Sequence, residues 1–136
     1  MAVIEGLIRE ESDGSLSFGD YSLQEKGKVD SFEANGDVYK VKTYKDLTRL
    51  EKNGSLLLEA VPGMAVHNLK VSEKRTSFSA EGVEDTQITM ELEPEKEYKI
   101  LIDGVNVGSM KTNLSGKINF SVALASEPQE VKIEKM

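Results

Sequence analysis

The chain has 136 residues, 38% hydrophobic and 30% charged, with a formal net charge of −7. That length allows one domain with a real core or two small units, and the composition suits a soluble globular protein. The acid excess argues against nucleic-acid and anionic-membrane partners, because phosphate binding needs a lysine- and arginine-rich face. Having no cysteine excludes disulfides, thiolate catalysis and cysteine metal sites.

Residues 3–9 read as a short first strand, and Asp13-Gly14 as a hairpin turn before Leu16, Phe18 and Tyr21. Residues 26–28 are polar around a glycine and read as a loop. Residues 29–34 and 37–44 flank Asn35-Gly36, a pair that tolerates the positive φ angles of a type I′ turn. Residues 44–60 allow two readings. The favoured one is a hairpin about Asn53-Gly54. The other is a short helix over 44–52, capped by Thr43 and closed near Gly54.

Val61-Pro62-Gly63 is the expected boundary between an N-terminal β-hairpin unit, 1–62, and a β-sandwich unit, 63–136. Strands are predicted at 65–71, 76–81, 86–92, 97–103, 105–111, 117–124 and 130–134. Their apolar residues recur every second position: Ile88, Met90, Leu92; Tyr98, Ile100, Ile102; Ile118, Phe120, Val122, Leu124; Val131, Ile133. A period of two places one strand face in a core and the other in water. Many such strands bury their apolar faces by packing sheet on sheet, so the predicted fold is an all-β, antiparallel β-sandwich.

The corner Leu92-Glu93-Pro94 followed by Tyr98-Lys99-Ile100-Leu101-Ile102 resembles the one before the sixth strand of fibronectin type III and immunoglobulin-like domains. That likeness implies an immunoglobulin-like second half, with the Tyr98 hydroxyl bonded to nearby backbone. The chain departs from the pattern in having no tryptophan and in an extra hairpin at Asp103-Gly104.

A second resemblance covers the whole chain. It rests on Ser17-Phe18-Gly19-Asp20-Tyr21, Tyr39-Lys40-Val41-Lys42-Thr43, Val61-Pro62-Gly63 with Ala65-Val66-His67-Asn68, and Met110-Lys111-Thr112-Asn113. These segments resemble a small family of short proteins from gut anaerobic bacteria, of unsettled function and often labelled endosialidase. Sialidases use an arginine triad and a tyrosine nucleophile on large propellers. With only Arg9, Arg49 and Arg75 and no tryptophan, this chain does not support that label.

Four residues are candidates for ligand binding. His67, the only histidine, reads as a general base or ligand contact beside Asn68, or as a strand residue satisfied by backbone or water. Tyr44 falls among Lys40 and Lys42, where it could stack on a sugar or dock a partner, or pack at a sheet rim. Tyr39 lies on the opposite face with Val41. No catalytic residue, metal site or cofactor is expected. Acidic clusters at Glu81, Glu84 and Asp85 and at Glu91, Glu93, Glu95 and Glu97 read as solvated surface. Asp13, Asp20, Asp103 and Asn106 do not follow a calcium-loop spacing.

The expected function is non-catalytic: a homo-oligomer or a protein-binding sandwich with strand edges open to pairing. A carbohydrate-binding accessory module is the alternative, and a glycan hydrolase the weakest third. Residues 1–11 carry acids and no long apolar run, so no signal peptide is read and a cytoplasmic location is expected, or a secreted one if the natural N-terminus has been trimmed.

Overall fold

Strands form where turn residues punctuate the alternating pattern, and the punctuation sets their number. The computed structural model describes Ile4 and residues 6–136. In chain order the strands are β1 (Ile8–Glu10), β2 (Leu16–Phe18), β3 (Gly27–Ala34), β4 (Asp37–Tyr44), β5 (Leu47–Lys52) and β6 (Ser55–Val61). They continue with β7 (Ala65–Val71), β8 (Arg75–Glu81), β9 (Asp85–Glu91), β10 (Glu97–Ile102), β11 (Val105–Lys111), β12 (Lys117–Ala123) and β13 (Gln129–Lys135). No helix occurs among the described residues.

Three two-residue turns share one geometry. Asn35-Gly36 has φ of 53° and 82°, Asn53-Gly54 of 51° and 86°, and Asp103-Gly104 of 50° and 81°. Two successive positive φ values define the turn whose twist matches its flanking strands. The hairpin reading of residues 44–60 therefore holds and the helical one fails. Thr43 caps no helix: its buried Oγ1 accepts from the Asp20 N–H at 2.8 Å and lies 2.8 Å from Thr48 Oγ1.

Two segments differ from expectation. The first strand starts only at Ile8, because Gly6 and Leu7 take φ of 78° and 71° and hold the chain out of extended geometry. The expected strand residues Val3 and Glu5 lie outside the described residues. Gly27 and Lys28, expected in a loop, open β3 opposite Thr43 and Lys42. The far end of β4 offers them free backbone groups, and pairing satisfies both sides.

The strands form two antiparallel sheets packed as a sandwich. One runs β1-β2-β7-β8-β13-β10-β11 and the other β12-β9-β6-β5-β4-β3. Both draw strands from each side of Pro62: β2 pairs with β7, and β6 with β9. The segments before and after the expected boundary thus build the same two layers. Between these lies one apolar cluster that includes Phe18, Val41, Leu50, Leu58, Val66, Ile88, Met90, Val131 and Ile133, all with no exposed surface. Burying such side chains contributes roughly 1.5–3 kcal/mol each.

At the corner before β10, the buried Tyr98 accepts a hydrogen bond at its hydroxyl from the Glu93 N–H at 3.3 Å. Tyr98→Phe keeps the ring and removes that acceptor. The expected loss is about 1 kcal/mol, read as a shift of the urea unfolding midpoint with an unchanged slope. No shift would mean that the bond does not hold the corner.

Candidate functional site

The most connected polar side chains gather where β2 meets β7. The ladder slips there on both sides of β7: between Leu16 and Phe18 against β2, and between His67 and Lys70 against β8. Asn68 sits in the slip with φ of 58°, a left-handed conformation that asparagine accepts more readily than most residues. The bulge turns its polar groups toward β2. Its N–H donates to Ser17 Oγ and its Nδ2 to Ser15 Oγ, each at 3.1 Å.

Both serines pass the network on to carboxylates. Ser17 Oγ donates to Glu11 Oε2 at 2.5 Å, and the same oxygen accepts from Arg9 Nε at 2.9 Å. Ser15 donates to Asp13 Oδ1 from its hydroxyl at 2.6 Å and from its backbone at 3.0 Å. Lys70 Nζ lies 3.1 Å from Asp13 Oδ2. These bonds to the ionised form hold the Asp13 carboxyl well below the usual carboxylate range, the Ser15 hydroxyl most, then the Ser15 backbone, then Lys70. Glu11 is lowered too, by Ser17 and then Arg9.

Because both carboxyls titrate lower in the folded chain, the unfolded chain binds more protons as pH falls past about 4. Their stabilisation is present above that pH and is lost as pH drops through the folded values. Urea midpoints measured across this acid range should therefore fall. Asp13→Asn is expected to flatten the dependence, and an unchanged slope in that variant would contradict the assignment.

Beside this network a groove of about 320 Å³ opens along the mouth of the sandwich. Asp13, Ser15 and Lys70 line one side, and Asp37, Tyr39 and Lys52 the other. Lys52 Nζ lies 3.7 Å from Asp37 Oδ2, so each wall carries its own opposed charges. Burial first, then the charges of Asp37 and Glu10, push the Tyr39 hydroxyl above its ordinary range, which keeps it neutral. The groove thus presents a buried aromatic ring under a polar, charge-balanced rim.

The four residues singled out from sequence do not converge. Tyr39 lines the groove and Asn68 braces one wall. His67 points elsewhere: its Nε2 lies 3.3 Å from Glu81 Oε1. Tyr44 is half-buried on the outer face of the second sheet, where Lys26 Nζ sits 5.8 Å from its ring centroid. That ring already holds a cation.

Glu81 corrects the expectation of a solvated acid, since it closes β8 with 2% exposure. It pairs with Ala65 at the end of the β7 ladder, and His67 of the same strand lies against its carboxylate. Tyr21 stands close by, its hydroxyl raised by burial, then by the charges of Glu81 and Asp20.

Asp20 caps its own turn, Asp103 bonds across to β13, and Asn106 braces the irregularity in β11. They accept from Ser22, Glu130 and Gly108 backbone N–H groups at 2.9, 2.8 and 2.9 Å. Among the described residues no group of three or more histidine or carboxylate side chains is placed to hold a metal ion. Nor is any helix long and apolar enough to cross a membrane.

Ser15, Ser17 and Lys70 were not legible as a set. Only the bulge brings them together, and alternating polar residues on strands give no sign of one. No family model matches the chain, and neither does any curated protein or solved structure compared with it.

Proposed function

We propose that this chain is a non-catalytic sandwich that acts through its surface, by self-association or by contact with another protein. The observation that carries the reading is how its polar groups are spent. The serines, the Asn68 side chain and the carboxylates around the groove bond one another and hold the bulge and turns in place. The exposed large apolar side chains, by contrast, are densest in one stretch, residues 105–114. Val105, Val107, Met110 and Leu114 are 40–80% exposed, and they are four of the nine such residues among those described. Crowded exposed apolar surface marks an interaction site. An immunoglobulin-like arrangement of the second half and a bacterial, cytoplasmic setting fit this reading.

Light scattering over a wide concentration range tests it. Mass rising with concentration supports self-association, and a constant monomer mass leaves only the hetero-contact form. A second reading, a carbohydrate-binding module, draws on the groove, where the Tyr39 ring lies under a rim of Asp13, Asp37, Lys52 and Lys70. A glycan array probed with and without calcium checks that reading, and no hits in either condition would dispose of it.

A further inference from the structure

Two sheets of unequal strand number leave β11 overhanging. It is the last strand of the seven-stranded sheet and pairs only with β10. All seven of its residues are exposed on both faces, unlike those of any other strand. Its outer edge offers an unpaired row of backbone donors and acceptors.

The other three outer strands are guarded in ways that edges usually are. β1 has three residues. β3 carries Lys28, Asp30 and Glu33 and slips register between Val29 and Phe32. At the end of β12, Gln129 Nε2 donates to the Ala123 carbonyl at 2.5 Å. Residues 105–110 of β11 hold no charge and no proline. The irregularity in β11 lies opposite Ile100 and Leu101, and beyond it Gly108 to Lys111 pair regularly with β10.

We infer that β11 is a self-pairing edge, on which a second copy of this chain adds its own β11 antiparallel about a two-fold axis. Charge favours this occupant. Each copy carries −7, so like surfaces repel, and the uncharged strip is where two copies approach at least cost. The strand also starts beside Asp103 and ends in Lys111, both exposed. Antiparallel pairing brings the ammonium end of one copy to the carboxylate end of the other, twice per dimer, whereas parallel pairing would set like charges together. With Asp103 opposite Lys111 the axis falls at Val107, which would meet its own counterpart, and Val105 would lie diagonally across from the partner copy's Val107. The contact is one strand wide, so it belongs with small, transient interfaces. This inference rests on the surface-contact reading and names the surface.

The test is sedimentation equilibrium on the full chain from about 5 to about 500 µM, with a dissociation constant on the order of 10–100 µM expected. Val107→Lys puts two ammonium groups near the axis, and Lys111→Glu removes the end-to-end attraction. Each should weaken association about tenfold or more. Amide hydrogen exchange on the unmodified chain gives a readout free of folding effects. Amides of β11 should exchange more slowly at high concentration, with those of β3 and β12 unchanged. Association that both substitutions spare, with protection appearing at β3 or β12, would overturn the inference while leaving self-association in place. A monomer throughout, with concentration-independent exchange, would overturn both the inference and the self-association arm.

Discussion

Phe18→Ala is expected to lower stability by about 3–5 kcal/mol, among the largest effects of any side-chain truncation in this chain. Phe18 has no exposed surface. It lies in β2 opposite Ile8 on one side and Val66 on the other, so it ties the N-terminal strands to the second half of the chain. Removing its ring leaves a cavity that two hydrogen-bonded sheets cannot collapse to fill. For a domain of this size the melting temperature should fall by roughly 10–20 °C. Val105→Ala is the matched control. That side chain is 63% exposed, and its loss should move stability by no more than about 0.5 kcal/mol. Urea unfolding of both variants checks the pair. A Phe18 variant as stable as the control would mean that β2 does not face the core.

Gly19→Ala should be nearly as damaging, about 3–5 kcal/mol, for a different reason. Gly19 has φ of +100°, a region where side chains are strained whatever the space around them. An added Cβ would also strike the Met64 carbonyl and press on Thr48 Cγ2 at 3.2 Å and Ala65 Cα at 3.3 Å. Two of those neighbours are backbone and cannot rotate away. Thr48 is fixed as well, since its Oγ1 donates to the Met64 carbonyl at 2.8 Å and accepts from the Met64 N–H at 3.0 Å. Gly36→Ala separates the two causes. Gly36 has φ of 82° but nothing within 4 Å of an added Cβ, so only conformational strain of about 1 kcal/mol should remain. Equal losses at both positions would remove crowding as the explanation.

Sequence revealed the fold better than it revealed the site, and particular residues show why. Alternation is a local property, so Ile118, Phe120 and Val122, or Val131 and Ile133, announce their buried face without help from distant chain. Asn-Gly and Asp-Gly turns are local as well: three of the four proposed pairs turn with two positive φ angles, whereas at Asp13-Gly14 only Gly14 has one. Which strands become neighbours is not local. Nothing in residues 16–18 says that they pair with residues 66–69 rather than with the next strand in sequence.

The site inherits that difficulty. Asn68 draws notice for standing beside the only histidine, yet its bonds run to Ser15 and Ser17, and they exist because a bulge turns it away from His67. Glu81 reads as one of many acids near a glycine, but it is buried beside Ala65 and His67 of a strand distant in sequence. Tyr39 and Tyr44 were assigned to opposite faces correctly, because that assignment needs only the period of two.

The account depends most on one sandwich built jointly by the two halves of the chain, whose filled interior leaves the surface to act. Cross-strand nuclear Overhauser effects in the full chain test this most directly. Contacts are predicted between the backbones of Phe18 and Val66 in one layer, and of Leu58 and Met90 in the other. A well-dispersed spectrum in which residues 6–61 show contacts only among themselves would contradict the shared core and the exposed edge at β11 that follows from it.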